Sequence, residues 1–97
     1  MSCTVLLELK VKPGTGDEVL ATLKSILPDT RSYDGNISMY VIRNQDDPDV
    51  LVAVEEWESK AHHEKYLAWR TETGVMDTLM EVVAEPPSIR YFDPTDA

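Results

Sequence analysis

An α+β fold with an antiparallel sheet is predicted for this 97-residue chain by three observations. Four short segments read as strands, the first alternating apolar and polar residues with a period of two and the third apolar on both faces. Two longer segments repeat apolar residues at helical spacing. Pro and Gly punctuate the joints between them.

Residues 3–12, CTVLLELKVK, read as the first strand, with Cys3, Val5, Leu7, Leu9 and Val11 on one face. Pro13 and Gly14 stop it. Thr15 is the predicted N-cap of a helix, and Glu18 three residues on completes a capping box. Val19, Leu20, Leu23, Ile26 and Leu27 form its apolar stripe, and Pro28 is expected to end it. A loop with a turn at Asp34–Gly35 follows. Residues 37–43 are the second strand, with Ile37, Met39 and Val41 on one face and Ser38, Tyr40 and Ile42 on the other. A polar connection, Asn44 to Asp49, leads into the third strand at residues 50–57. Ser59 caps a second helix that runs to about Arg70. Thr73–Gly74 breaks or kinks it before a further helical piece up to Ala84. Pro86 and Pro87 end that piece, and Ser88 to Phe92 make the last strand.

The order is β-α-β-β-α-β, the ferredoxin-like split βαβ arrangement with helices on one face of the sheet. One domain is expected over residues 1–97, with an ordered core of about 3–92. The third strand is apolar on both faces: Val50, Val52 and Val54 against Leu51, Ala53 and Trp57. Helices cover one face, so the other is expected to be buried by a second copy in a two-fold homodimer.

The formal net charge is −9, and the nine basic residues are scattered. Neither a nucleic-acid backbone nor an anionic membrane surface is an expected partner. No apolar run approaches the roughly 18 residues of a membrane span, and the N-terminus lacks the pattern of a signal peptide, so a cytoplasmic location is expected. Cys3 is the only cysteine, which excludes an intrachain disulfide.

Chemistry-bearing residues gather where the third strand meets the second helix, in VLVAVEEWESKAHHEKYLAWR, residues 50–70. Trp57 shares a face with Glu55 and Ala53, and either closes the core or stacks on a flat substrate. Glu55 is costly to bury unpaired; it pairs with an Arg, caps the helix start, or accepts a proton at raised pKa. His62, Tyr66 and Trp69 form one helical stripe, and His63, Tyr66, Leu67 and Arg70 an overlapping one. Tyr66 therefore faces inward, one histidine flanks it, and the other meets solvent. Adjacent histidines chelate poorly and no HExxH pattern occurs, so no metal site is expected. Arg70 pairs with Glu55 or Glu56, offsets the helix dipole, or binds an oxyanion. Tyr40, beside the third strand, either lines the same cavity or packs in the core with its hydroxyl at the rim.

Glu55-x-Trp57-x-Ser59 leading into a helix, Gly35–Asn36 before the second strand, and the short β-α-β-β-α-β order resemble the antibiotic biosynthesis monooxygenase domain, over roughly residues 3–92. The resemblance implies a dimeric α+β barrel and a cofactor-independent oxygenation of a small quinol, phenol or anthrone. His62, His63 and Tyr66 would then handle protons, Trp57, Tyr40 and Glu55 would line the substrate, and Arg70 or Asn36 would stabilise negative charge. Haem-degrading relatives carry an asparagine on the first strand and a histidine on the second helix. The corresponding positions here hold Leu7 or Glu8 and Tyr66, so no haem is expected. The competing expectation is a non-catalytic dimeric domain that binds a small molecule or serves under stress.

Overall fold

The computed structural model describes residues 2–97, which form β1 (Cys3–Lys10), α1 (Gly16–Arg31), β2 (Asn36–Arg43), β3 (Val50–Trp57), α2 (Lys60–Glu72), α3 (Val75–Val82) and β4 (Ser88–Phe92). The strands make one antiparallel sheet in the order β2-β3-β1-β4. This is the ferredoxin-like α+β fold, with the second helix split. Gly74, at φ +84°, supplies the left-handed residue that separates α2 from α3.

The period of two sorts the sheet. Cys3, Val5, Leu9, Leu51, Ala53, Glu55, Trp57 and Met39 are buried toward the helices. They divide into two apolar groups. Leu9, Val11, Met39, Leu51 and Ala53 pack with Val19, Leu23, Leu27, Leu79 and Val83. Cys3, Val5 and Trp57 pack with Tyr66, rimmed by Tyr33, Trp69 and Tyr91. On the opposite face, register places Tyr40, Val54, Leu6 and Arg90 in one row and Ile42, Val52, Glu8 and Ser88 in the next. Tyr40 is 53% and Ile42 49% exposed there.

Three local expectations are corrected. Thr15 makes no side-chain cap on α1; its hydroxyl donates instead to the Lys12 carbonyl at 2.7 Å. The carboxylate of Asp49, across the sheet end, accepts from the Gly14 and Gly16 amides and does the capping. Pro28 does not end α1, which continues to Arg31. The proline costs one backbone bond to Lys24, and tertiary bonds hold the turn beyond it: Arg70 Nη2 donates to the Ile26 carbonyl at 2.9 Å and to Thr30 Oγ1 at 2.9 Å. Ile37 is 57% exposed rather than inward, because the pairing of β2 with β3 slips between Asn36 and Ser38.

Candidate functional site

Between sheet and helices lies a cavity of about 40 Å³, apolar apart from Glu55, His63, Tyr66 and Arg70. Strand and helix geometry put these four together. Glu55 follows Leu51 and Ala53 on the inward face of β3, while His63, Tyr66 and Arg70 succeed one another at helical spacing on α2.

Glu55 is 2% exposed. The indole Nε1 of Trp57, two residues on and so on the same face, donates to its Oε1 at 3.0 Å. Burial pushes the Glu55 carboxyl up from 4.5 to about 7, and the indole bond only partly opposes this. His63 Nε2 lies 3.7 Å from Glu55 Oε1, too far for a hydrogen bond. That nitrogen is buried and has no hydrogen-bond partner among the described residues. The other ring nitrogen, Nδ1, shares a hydrogen bond with Tyr91 Oη at 2.9 Å. Burial pushes the imidazole down from 6.5 to about 4, so at neutral pH it is uncharged.

Farther along α2, Arg70 is 4% exposed and no carboxylate pairs with it among the described residues. Its Nε donates to Tyr66 Oη at 2.8 Å, and Tyr66 Oη and Thr30 Oγ1 share a hydrogen bond of 2.6 Å. Trp69 and Tyr66 lend their ring faces to the guanidinium, 4.6 and 5.3 Å away. A buried cation held by neutral partners favours an anion in the space beside it.

The expected pairing of Arg70 with Glu55 or Glu56 does not form, because the fork is taken up by Tyr66, Thr30 and the end of α1. Of the other sequence-derived candidates, Trp57 is fully buried behind Glu55 and presents no face to the cavity. Tyr40 pairs with Val54 and sits on the far face of the sheet. Asn36 lies at the β2 bulge, outside the cavity lining. His62 faces away from it: Ser59 Oγ shares a hydrogen bond of 2.6 Å with His62 Nδ1, and Gly35, at φ +88°, packs directly against the ring. A Cβ at position 35 would sit 2.4 Å from that ring. Asp34 and Glu58 place carboxylate oxygens within 4.8 Å of the His62 nitrogen.

Two residues escaped the sequence reading. Thr30, three residues past the end expected for α1, is fully buried as the joint partner of Tyr66 and Arg70. Tyr91 reaches His63 from β4. Its period-two alternation with Ile89 was the available signal; Thr30 had none.

No curated protein matches the chain. Solved structures share its fold at low identity. A conserved protein from Methanosarcina mazei Go1 superposes with a TM-score of 0.86 at 20% identity, covering 98% of this chain and 94% of that one. Rv0793 from Mycobacterium tuberculosis gives 0.85 at 18%, covering 100% and 98%. A crystal structure named antibiotic biosynthesis monooxygenase gives 0.84 at 20%, covering 96% and 98%. The sequence model named Antibiotic biosynthesis monooxygenase matches residues 2–71, which run from β1 through the whole strand–helix corner bearing Glu55, Trp57, His63, Tyr66 and Arg70, and the chain belongs to that family.

Proposed function

We propose that this chain is a monooxygenase that needs no cofactor and oxidises a small phenol, quinol or anthrone, bound as its anion between Arg70 and the Glu55–His63 pair. The observation that carries the reading is the buried, carboxylate-free guanidinium of Arg70 on the same cavity as an unpartnered imidazole nitrogen and a carboxyl poised near neutrality. Geometry supplies a base for the substrate proton and a cation for the charge left behind.

An anthrone carries two acidic hydrogens on one activated ring carbon. Glu55 carboxylate or the His63 Nε2 lone pair takes a proton from the activated carbon, and the enolate oxygen rests beside Arg70. The enolate passes one electron to O₂, and the caged radicals combine to a C–O–O⁻ group that is protonated from the same acid. Loss of the second C–H proton breaks the O–O bond. The ring carbon becomes a carbonyl and the departing oxygen leaves as water. Apolar walls keep bulk water from the intermediates.

A cavity of about 40 Å³ has room for a few waters, at roughly 10–15 Å³ each. An aromatic guest therefore requires the wall to move. Val75, Met76 and Leu79 of α3 form part of that wall. Methionine adapts to such a guest at low cost. Tyr66 commits its hydroxyl to Arg70 and Thr30.

We also infer a homodimer. Leu6, Tyr40, Ile42, Val52, Val54 and Phe92 lie on the sheet face that the helices leave open, in register across all four strands. A second copy of the same face would bury them. Among the described residues no helix is long and apolar enough to cross a membrane.

Oxygen uptake by metal-free protein, followed with reduced naphthoquinones and anthrones, tests the enzyme reading. Turnover above the buffer rate supports it. Binding without oxygen uptake across the panel replaces it with the non-catalytic binding domain.

A further inference from the structure

A buried carboxyl that accepts protons needs a route to water. Glu55 is 2% exposed, and its surroundings are apolar apart from His63, Tyr66, Arg70 and the Trp57 indole. A carboxyl in such a place exchanges protons with water only when the wall opens, unless a chain of hydrogen-bonding groups leads out. The His63 ring offers the inner half of such a chain. Its Nε2 faces Glu55 Oε1 at 3.7 Å and its Nδ1 shares a hydrogen bond with Tyr91 Oη at 2.9 Å. Tyr91 does not line the cavity. It stands half-buried on β4 and lines a different, open groove of about 340 Å³ with Ser2, Cys3, Ser59, Lys60 and Asp93. His63 thus faces the cavity carboxyl with one ring nitrogen and bonds a residue of the outer groove with the other.

We propose that Tyr91, His63 and Glu55 form a proton wire joining the buried carboxyl to the groove beside β4. The proposal rests on the reading of Glu55 as the proton acceptor of the site. Inward transfer conserves protons. Tyr91 Oη accepts a proton from groove water while giving its own to His63 Nδ1. The imidazole releases the proton on Nε2 to the Glu55 carboxylate, across a gap that a small ring tilt or one water closes. His63 ends in the other tautomer, with its Nδ1–H donating to Tyr91 Oη. Outward transfer reverses each step. The groups facing the outer end set its charge: Lys60 Nζ lies 4.7 Å above the Tyr91 ring, while Glu64, Cys3 and Asp93 border the same edge. Neutral His63 suits the role, because a wire needs an imidazole that is not already protonated.

The test is the rate at which Glu55 changes charge after a pH jump, read from its carboxyl stretch by time-resolved infrared, with Glu55→Gln identifying the band. Tyr91→Phe keeps the ring and removes the hydroxyl. The expected result is a relaxation slowed about tenfold or more, at an unchanged midpoint, with the rate restored by millimolar imidazole as a diffusible proton carrier. An unchanged rate in Tyr91→Phe overturns the wire and leaves the cavity reading standing. A Glu55 band that does not titrate near neutrality overturns both. If Tyr91→Phe does not fold, the wild-type rate in mixed light and heavy water decides. A curved dependence on deuterium content supports transfer of more than one proton, and a linear or absent dependence overturns it.

Discussion

Glu55→Gln removes the ionisation of one buried group and keeps its shape, including an oxygen for the Trp57 indole. The folded protein holds the Glu55 proton up to about pH 7, whereas the ordinary value, which the unfolded chain takes, is 4.5. Across that window the folded state binds a proton that the unfolded state has lost. Stability from this group is therefore fully present below 4.5 and lost as the pH rises to about 7. The gap of about two and a half pH units, at about 1.4 kcal/mol each, amounts to about 3.5 kcal/mol. His63 works in the opposite sense. Its folded value of about 4 lies below the ordinary 6.5, so it lowers stability as the pH falls through that range. The two slopes oppose each other in the wild type between about pH 4.5 and 6.5, which hides both. Subtracting wild type from Glu55→Gln isolates the carboxyl. Urea unfolding at a series of pH values measures the difference. It is expected to be small near pH 4 and to grow to about 3.5 kcal/mol in favour of the variant by about pH 8. A difference that stays within about 0.5 kcal/mol throughout refutes the claim that burial holds this proton.

Two glycines separate backbone strain from steric fit. Gly74→Ala meets open space and carries only the positive φ, so a loss of about 1 kcal/mol is expected; Gly35→Ala adds collision with the His62 ring and is expected to lose about 3 kcal/mol or more, both read by urea unfolding. Val54→Lys places an ammonium between Leu6 and Tyr40 on the open sheet face. Light scattering is expected to report a dimer for wild type and a monomer for the variant, and a wild-type monomer at micromolar concentration contradicts the homodimer.

Much of the sheet was legible because parity is robust. Once Val50–Trp57 is a strand, Glu55 and Trp57 must share the face of Leu51 and Ala53. The same parity puts Tyr40 opposite Met39, so its assignment to the cavity fails on register. The choice between His62 and His63 was not legible, since both lie on stripes that include Tyr66. Three contacts decide it, two of them from distant segments: Ser59 and Gly35 hold His62 outside, and Tyr91 holds His63 inside. Pro28 reads locally as a helix end. A buried bond network centred on Arg70, 42 residues later in the chain, overrides it. Propensity is a local quantity, and the bonds that anchor this end of α1 are tertiary.

Oxygen uptake in metal-free protein supplied with reduced naphthoquinones and anthrones, run beside Arg70→Met, tests the central claim most directly. The variant removes the buried cation and leaves the Tyr66–Thr30 bond in place. Oxygen-dependent turnover in the wild type that falls by about a hundredfold in Arg70→Met is the expected result. Turnover that is absent from the wild type across the panel, or that survives the loss of Arg70, contradicts the account.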